Sequence, residues 1–148
     1  MDSSPLVPLL QELFQTQRLA VLATLENGRP YLSLMVFAAG ADLKHLIIVT
    51  EKARHKYRNL KKNPQVALLI DNRVNQETDF AEALAVTAQG LAEEVGPAEK
   101  EACLQLFLDK HPLLAEFAAS PRAAVIKIKV ARYLVVRKFQ EVMELRTA

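Results

Sequence analysis

Apolar and polar positions alternate along much of this chain, in short runs set off by turn-forming clusters, which is the pattern of β-strands joined by hairpins. The segment Arg18 to Leu25 is apolar at nearly every position, as expected of a strand buried on both faces. Glu26-Asn27-Gly28-Arg29 follows, and Asn-Gly is the strongest short hairpin signal. The next strand, Tyr31 to Ala38, places Tyr31, Ser33, Met35 and Phe37 on one face and Leu32, Leu34, Val36 and Ala38 on the other. A third strand at His45 to Val49, a fourth at Gln65 to Ile70 and a fifth at about Leu84 to Glu94 come next, the fifth with Gly90 as a bulge. Ala123 to Val130 alternates Ile126, Ile128 and Val130 inside with Lys127 and Lys129 outside, and Tyr133 to Val136 and Phe139 to Leu145 supply the last strand material.

Helical spacing is confined to the connections. Ser3 or Ser4 followed by Pro5 signals a helix start, and Leu6, Leu9, Leu10, Leu13 and Phe14 mark one apolar face ending near Gln17, which predicts a lid over a sheet. Gly96-Pro97 opens a second helix with Glu99 and Glu101 early and a stripe through Cys103, Leu106 and Phe107. His111-Pro112 breaks it, Leu113, Leu114 and Phe117 continue as a short helix before Ser120-Pro121, and Val74 to Asp79 reads as a polar loop. The pattern predicts a mainly β fold, a small closed or partly closed antiparallel barrel of six to seven strands with peripheral helices, in a single domain over residues 1–148.

One stretch is arranged as if around a ligand: Thr50-Glu51-Lys52-Ala53-Arg54-His55-Lys56-Tyr57-Arg58-Asn59-Leu60-Lys61-Lys62-Asn63-Pro64. An apolar strand runs into Thr50, a helix-capping residue, and Ala53, Tyr57 and Leu60 then repeat as a buried stripe. Arg54 and Lys56 would flank that stripe in the first turn, beside free backbone N–H groups and the positive end of the helix dipole, the outline of a phosphate site. Lys52, Arg58, Lys61 and Lys62 read as the solvated face, and His55 as an outward, inert residue. After the fourth strand, Asp71-Asn72-Arg73 fits two readings, a turn in which side chains bond their own backbone, or a ligand-facing or interface role for Asn72 and Arg73.

Composition narrows the choice of function. The chain has 148 residues, half of them apolar, enough for one real core, and its formal charge of +2 makes the basic helix a local feature instead of a general nucleic-acid surface. Only Tyr57 interleaves with those cations, and it faces the stripe, so stacking on nucleic-acid bases finds no platform. The lone Cys103 excludes an intramolecular disulfide framework and reads as a small core side chain, and no His or Cys spacing suits a metal. The start Met1-Asp2-Ser3-Ser4-Pro5 lacks signal-peptide character and no apolar run reaches membrane-spanning length, so a cytoplasmic protein is expected.

The words of this chain resemble those of the pyridoxamine 5'-phosphate oxidase-like family, the FMN-binding split barrels. The resemblance rests on Arg18-Leu-Ala-Val-Leu-Ala-Thr-Leu with Asn27-Gly28-Arg29-Pro30, on the strand Leu32 to Phe37, and above all on Thr50 to Pro64, which resembles the family's Thr-x5-Lys followed by Asn-Leu and Asn-Pro. It implies that Thr50 and Lys56 bind the FMN phosphate and that the backbone of Ser33, Leu34, Met35 and Val36 lines the isoalloxazine edge. The family often has Ser-Arg before the lysine, where this chain has Arg54-His55, so the charge is kept but displaced by one residue. It also implies a homodimer with two flavin sites at the interface, served by Asn72 and Arg73 of either subunit. The tryptophan and Arg-x-His tail of true pyridoxamine phosphate oxidases are missing, which argues against vitamin B6 oxidation.

The expected function is therefore an FMN-dependent oxidoreductase whose substrate the residues do not name. No side chain is an evident acid or base: Ser33 and Tyr31 could polarise a substrate, but both fit better as structural strand residues. The alternative is a non-catalytic binder of flavin, deazaflavin F420 or haem, with His45, His55 and His111 as the only histidine candidates for a haem ligand.

Overall fold

The hairpin signal at Asn27-Gly28 is obeyed to the residue. Both adopt positive φ, 50° and 79°, as a two-residue turn between right-twisted strands requires. The computed structural model describes residues 4–147, and among them the element order is α1 (Leu6–Thr16), β1 (Leu19–Glu26), β2 (Arg29–Ala39), β3 (His45–Glu51), α2 (His55–Lys62), β4 (Gln65–Asp71), α3 (Asp79–Glu82), β5 (Leu84–Glu94), α4 (Pro97–Lys110), a 3-10 turn (Pro112–Leu114), α5 (Ala115–Ala119), β6 (Ala123–Arg137) and β7 (Glu141–Arg146). The strands form one antiparallel sheet in the order β3-β2-β1-β4-β5-β6-β7, and β3 also pairs with β6. That extra pairing closes six strands into a barrel and leaves β7 outside it.

The barrel is filled by alternate residues from each strand, among them Leu22, Phe37, Ile48, Leu68, Val86, Ile126 and Tyr133, and α1 covers this core with Leu6, Leu10, Leu13 and Phe14. The Leu6 N–H donates to Ser4 Oγ at 3.2 Å, so Ser4 serves the helix start, while the roles expected of Met1 to Ser3 lie outside the described residues. Lys110, at the end of α4, donates to the Phe14 and Gln17 carbonyls, each at 2.6 Å, with its ammonium 3.8 Å from the centre of the Phe37 ring. A cation thus satisfies carbonyls that the end of α1 leaves free.

Several expectations are corrected. β1 is not buried on both faces: Ala20, Leu22 and Thr24 point inward, while Leu19, Val21, Ala23 and Leu25 face outward and are exposed or half-buried, because a single closed barrel has only one interior. Thr50 does not cap a helix. β6 pairs with β3 as far as Glu51, so the strand continues through Thr50, and α2 begins at His55 with Arg54 as its N-terminal flank. Ala53 is therefore exposed in a turn, and the buried positions of α2 are Asn59 and Leu60, with Tyr57 half-buried. The loop after β4 contains the one-turn helix α3, and the two segments expected around Ala131 are one continuous strand, β6, of 15 residues. Cys103 is half-buried, against a second apolar cluster under α4.

The bulge expected at Gly90 is present, with the register against β6 shifting between Gln89 and Gly90. A Cβ built there would lie 2.2 Å from the Lys129 carbonyl oxygen, a backbone atom that cannot step aside. Gly90→Ala should therefore lower the unfolding free energy by about 1 to 3 kcal/mol in urea denaturation, the usual scale for overpacking, whereas Gly96→Ala, where a Cβ meets nothing, should cost much less.

Candidate functional site: a wedge between diverging strands

β2 and β3 pair only at Phe37–Ile48, Ala38–Ile47 and Ala39–Leu46. The next partners in that register would be Val36 with Val49, Met35 with Thr50 and Leu34 with Glu51, but no ladder joins them, because β2 stays with β1 while β3 stays with β6. The strands part like a split seam. These six residues line the resulting cavity, which has a volume of about 340 Å³. Arg54 and Lys56 stand at one side, and Phe107, Leu114 and Phe117 from α4, the 3-10 turn and α5 form an apolar wall. The edges of two strands facing the cavity offer backbone donors and acceptors that no neighbouring strand consumes.

Thr50 is 2 % exposed, and its Oγ1 is the one buried side-chain polar atom among the described residues without a hydrogen-bond partner. An unmatched buried hydroxyl costs stability, so its survival among the residues that line a cavity marks a place for a polar ligand atom. Burial, with Arg54 beside it, pushes the Lys56 ammonium below the ordinary lysine range, and Glu51 opposes the shift. Arg54 donates to Glu51 at 3.1 Å at the solvent edge. The helix carrying Lys56 is anchored on both sides: the Tyr57 hydroxyl donates to Glu94 at 2.6 Å, and Asn59 Nδ2 donates to Thr24 Oγ1 at 3.1 Å. An anion at the start of α2 would meet free N–H groups, the helix dipole and two cations.

The other expected residues fall elsewhere. Ser33 is paired with Leu22 of β1, one residue before the lined part of β2, on the face shared with Met35 and Phe37. The Asn72 Oδ1 accepts the Leu84 N–H at 2.7 Å and its own N–H donates to the Leu84 carbonyl at 3.2 Å, which fastens the β4–β5 connection. Arg73 donates its backbone N–H (3.2 Å) and Nε (2.9 Å) to Asp71 and lines a second cavity, which shares no residue with the first. Of the turn bonding expected here, Asp71 forms its part by accepting the Arg73 N–H, while the Asn72 side chain reaches Leu84 instead. Within one chain Asn72 and Arg73 line no part of the cavity that holds Thr50.

None of the three histidines lines the wedge. His55 bonds Glu26 through Nδ1 at 2.8 Å and stacks on Tyr31, with ring centres 5.8 Å apart, so it is engaged with the β1–β2 hairpin. His45 opens β3. His111 is buried, and its Nε2–H donates to the Phe37 carbonyl at 2.6 Å; burial holds its pKa below the usual value. No cluster of three or more His, Cys, Asp or Glu groups suited to a metal occurs among the described residues. The apolar wall of Phe107, Leu114 and Phe117 was missed, because in the sequence these residues are ordinary stripes of two helices.

The profile of the pyridoxamine 5'-phosphate oxidase family matches residues 6–137. The chain belongs to that family. No curated protein sequence matches it. Solved structures share its fold at low identity. A haem-binding protein from Mycobacterium smegmatis has a TM-score of 0.85 and 17 % identity over 99 % of this chain and 60 % of its own, so this chain spans less than two thirds of that protein. General stress protein 26 from Bacillus anthracis has a TM-score of 0.74 and 20 % identity over 97 % and 99 % of the two chains. An FAD-binding protein from Mesorhizobium loti has a TM-score of 0.69 and 16 % identity over 86 % and 90 %. Such identities establish the split-barrel fold, and the ligands differ among its bearers. No helix among the described residues is long and apolar enough to cross a membrane.

Thr50→Val tests the unmatched hydroxyl directly. It should raise the unfolding free energy of the protein without added ligand by about 1 kcal/mol in urea denaturation, and a loss of similar size would mean that the hydroxyl is already satisfied.

Proposed function

We propose that this chain binds FMN in the wedge and works as an FMN-dependent oxidoreductase. The observation that carries the reading is the buried, unpartnered Thr50 hydroxyl in a cavity that Arg54 and Lys56 also line. Thr50 Oγ1 would donate to the phosphate, Lys56 and Arg54 would balance its charge, and the free edge of β2 from Ser33 to Val36 would meet the polar rim of the ring system. A bound flavin supplies hydride and electron transfer, and the protein supplies its grip and orientation. The apolar wall of Phe107, Leu114 and Phe117 excludes water from the same space, which strengthens the charge pairing at the phosphate. Haem is the weaker reading, because no histidine reaches the wedge.

The working unit in this proposal is a cytoplasmic homodimer. Leu19, Leu32 and Leu34 are 48 %, 67 % and 65 % exposed, and with Val21, Ala23 and Leu69 they make an apolar strip on the outside of β2, β1 and β4. A second copy is the natural cover for such a strip, since a two-fold contact pairs the same face with itself. That contact would also give Asn72 and Arg73 of one subunit access to the wedge of the other.

Titration of the apoprotein with FMN should show Lys56→Ala weakening binding by about 1 to 3 kcal/mol, and Arg54→Ala by less, the scale of a lost charge-assisted hydrogen bond. Riboflavin, which has no phosphate, should bind wild type and Lys56→Ala alike, and unchanged FMN affinity in both variants would remove the assignment. The protonated lysine is the binding form, so FMN affinity should fall as pH rises toward the lowered pKa of Lys56; Lys56→Arg should flatten that fall. Leu32→Glu should convert a dimer to a monomer in sedimentation equilibrium, and a persistent dimer would place the contact on another face.

A further inference from the structure

A third cavity, of about 520 Å³, lies between α1, the end of β2 with the turn that follows it, and α4. It shares no residue with the wedge, with the outer apolar strip or with the cavity beside Arg73. Phe14, Ala38, Leu43 and Leu106 give it an apolar wall, and Lys110 belongs to the same wall.

The charges around Lys110 are unlike those around the chain's paired lysines. Lys52, Lys61 and Lys127 each have a carboxylate within 3.9 Å, and Lys110 has none among the described residues. Its charged neighbour is instead Arg18, at the start of β1, a second cation. Burial, followed by Arg18, pushes the ammonium down to about 8. Asp109, the other charged residue of the wall, is exposed and accepts a hydrogen bond from Gln105 Nε2 at 2.6 Å. His111, next on the helix, bonds the Phe37 carbonyl, and α1 and the β2–β3 segment bring no charged side chain to the cavity.

The bonding of the nitrogen suits the free base as well as the cation. It meets two acceptors, the Phe14 and Gln17 carbonyls, each at 2.6 Å, and the face of the Phe37 ring at 3.8 Å. A neutral amine has two N–H groups, one for each carbonyl, and keeps a lone pair. Deprotonation therefore breaks no hydrogen bond at the end of α1 and forfeits only the attraction between ammonium and ring. Desolvation and a neighbouring cation are the two conditions that turn a lysine into a nucleophile near neutral pH. At pH 7 an amine titrating near 8 is roughly one tenth free base, against less than about one part in a thousand for an ordinary lysine.

We propose that Lys110 is a covalent capture site, at which its amine condenses with a small uncharged aldehyde seated in this cavity. The Nζ lone pair forms a bond to the carbonyl carbon while the C=O π pair moves to oxygen, and a proton passes from nitrogen to that oxygen. The nitrogen pair then forms the C=N bond as the oxygen leaves, protonated, as water. Nothing is oxidised or reduced. The protonated imine keeps one N–H for the two carbonyls, so capture loosens the end of α1, and contact of an alkyl tail with Phe14 and Leu106 offsets that loss. Asp109 disfavours an aldehyde that carries a carboxylate.

The probe is butanal, incubated with the full chain and cyanoborohydride, which delivers hydride to the imine and fixes it as an N-butyl amine. Peptide mass mapping then locates the labelled residues. Lys110 should be labelled about tenfold or more faster than any other lysine, at a rate that saturates with butanal and rises with pH through a midpoint near 8. Arg18→Gln should move that midpoint upward, a shift that loss of fold would not produce. Lys110→Arg, which retains donors for both carbonyls, should leave only slow labelling elsewhere. Glyoxylate, an aldehyde with a carboxylate, should show a smaller preference for Lys110, and urea unfolding should abolish the preference. Labelling of Lys56 or another lysine ahead of Lys110, a rate that never saturates, a preference that survives in urea, or a midpoint in the ordinary lysine range would overturn the proposal. So would suppression of the labelling by FMN. Failure of FMN to bind would sink the flavin reading and leave this site untouched.

Discussion

The ladder between β3 and β6 is the constraint on which the rest of this structure turns. It runs the whole length of β3, from His45 opposite Lys129 to Glu51 opposite Ala123. Because β6 holds β3 so completely, β2 can follow it for only three residue pairs before staying with β1. Barrel closure and the opening of a cavity are therefore one event. The same ladder satisfies the backbone of Thr50 while leaving its hydroxyl without a partner, so the most polar buried point of the wedge is fixed by main-chain bonding that the side chain cannot relax.

The wall opposite that hydroxyl depends on a second junction, at the end of α4. Lys110 and His111 are adjacent and both reach β2 or its neighbours: the lysine ammonium lies over the Phe37 ring and binds the carbonyls at the end of α1, and the histidine binds the Phe37 carbonyl. Burial, with Arg18 as a smaller influence, pushes the Lys110 ammonium down to about 8. Phe107 sits one helical turn before His111, with ring centres 5.1 Å apart, so the histidine that pins α4 also positions a wall residue of the wedge. Thus α1, α4 and β2 are fastened at one place, and the cavity inherits their rigidity.

The barrel was legible because each strand announces itself locally, through alternation in β2 and β6 and through Asn27-Gly28 at the first turn. Long-range pairing was not. Thr50 followed by charged residues looks like a helix start, and only the partner strand β6, more than seventy residues later, keeps it extended. For the same reason β1 looked doubly buried: Leu19, Val21 and Leu25 carry no mark distinguishing a core face from an apolar face left outside. Leu34, Met35 and Val36 were singled out through the family resemblance and Thr50, Arg54 and Lys56 through the basic segment after β3, and the structure brings these six to line one cavity. Phe107, Leu114 and Phe117 complete it from helices whose docking depends on buried contacts such as that of His111. For Asn72 and Arg73 the sequence left a turn and a ligand or interface role both open, and their separation from Thr50 within the chain depends on the circular order of strands, which periodicity does not encode.

β7 lies outside the closed barrel, bonded to β6 on one side only. A strand with one free edge can recruit a strand from another molecule and begin ordered aggregation. Here Glu141, Glu144 and Arg146 punctuate that edge and are tied to Arg137 and Arg132 and to each other by ion pairs. Adding a foreign strand would force these charges to rearrange at an edge only six residues long. The last strand of the chain therefore acts as its gatekeeper against fibrous growth, a form of protection that barrel closure provides for most of the others.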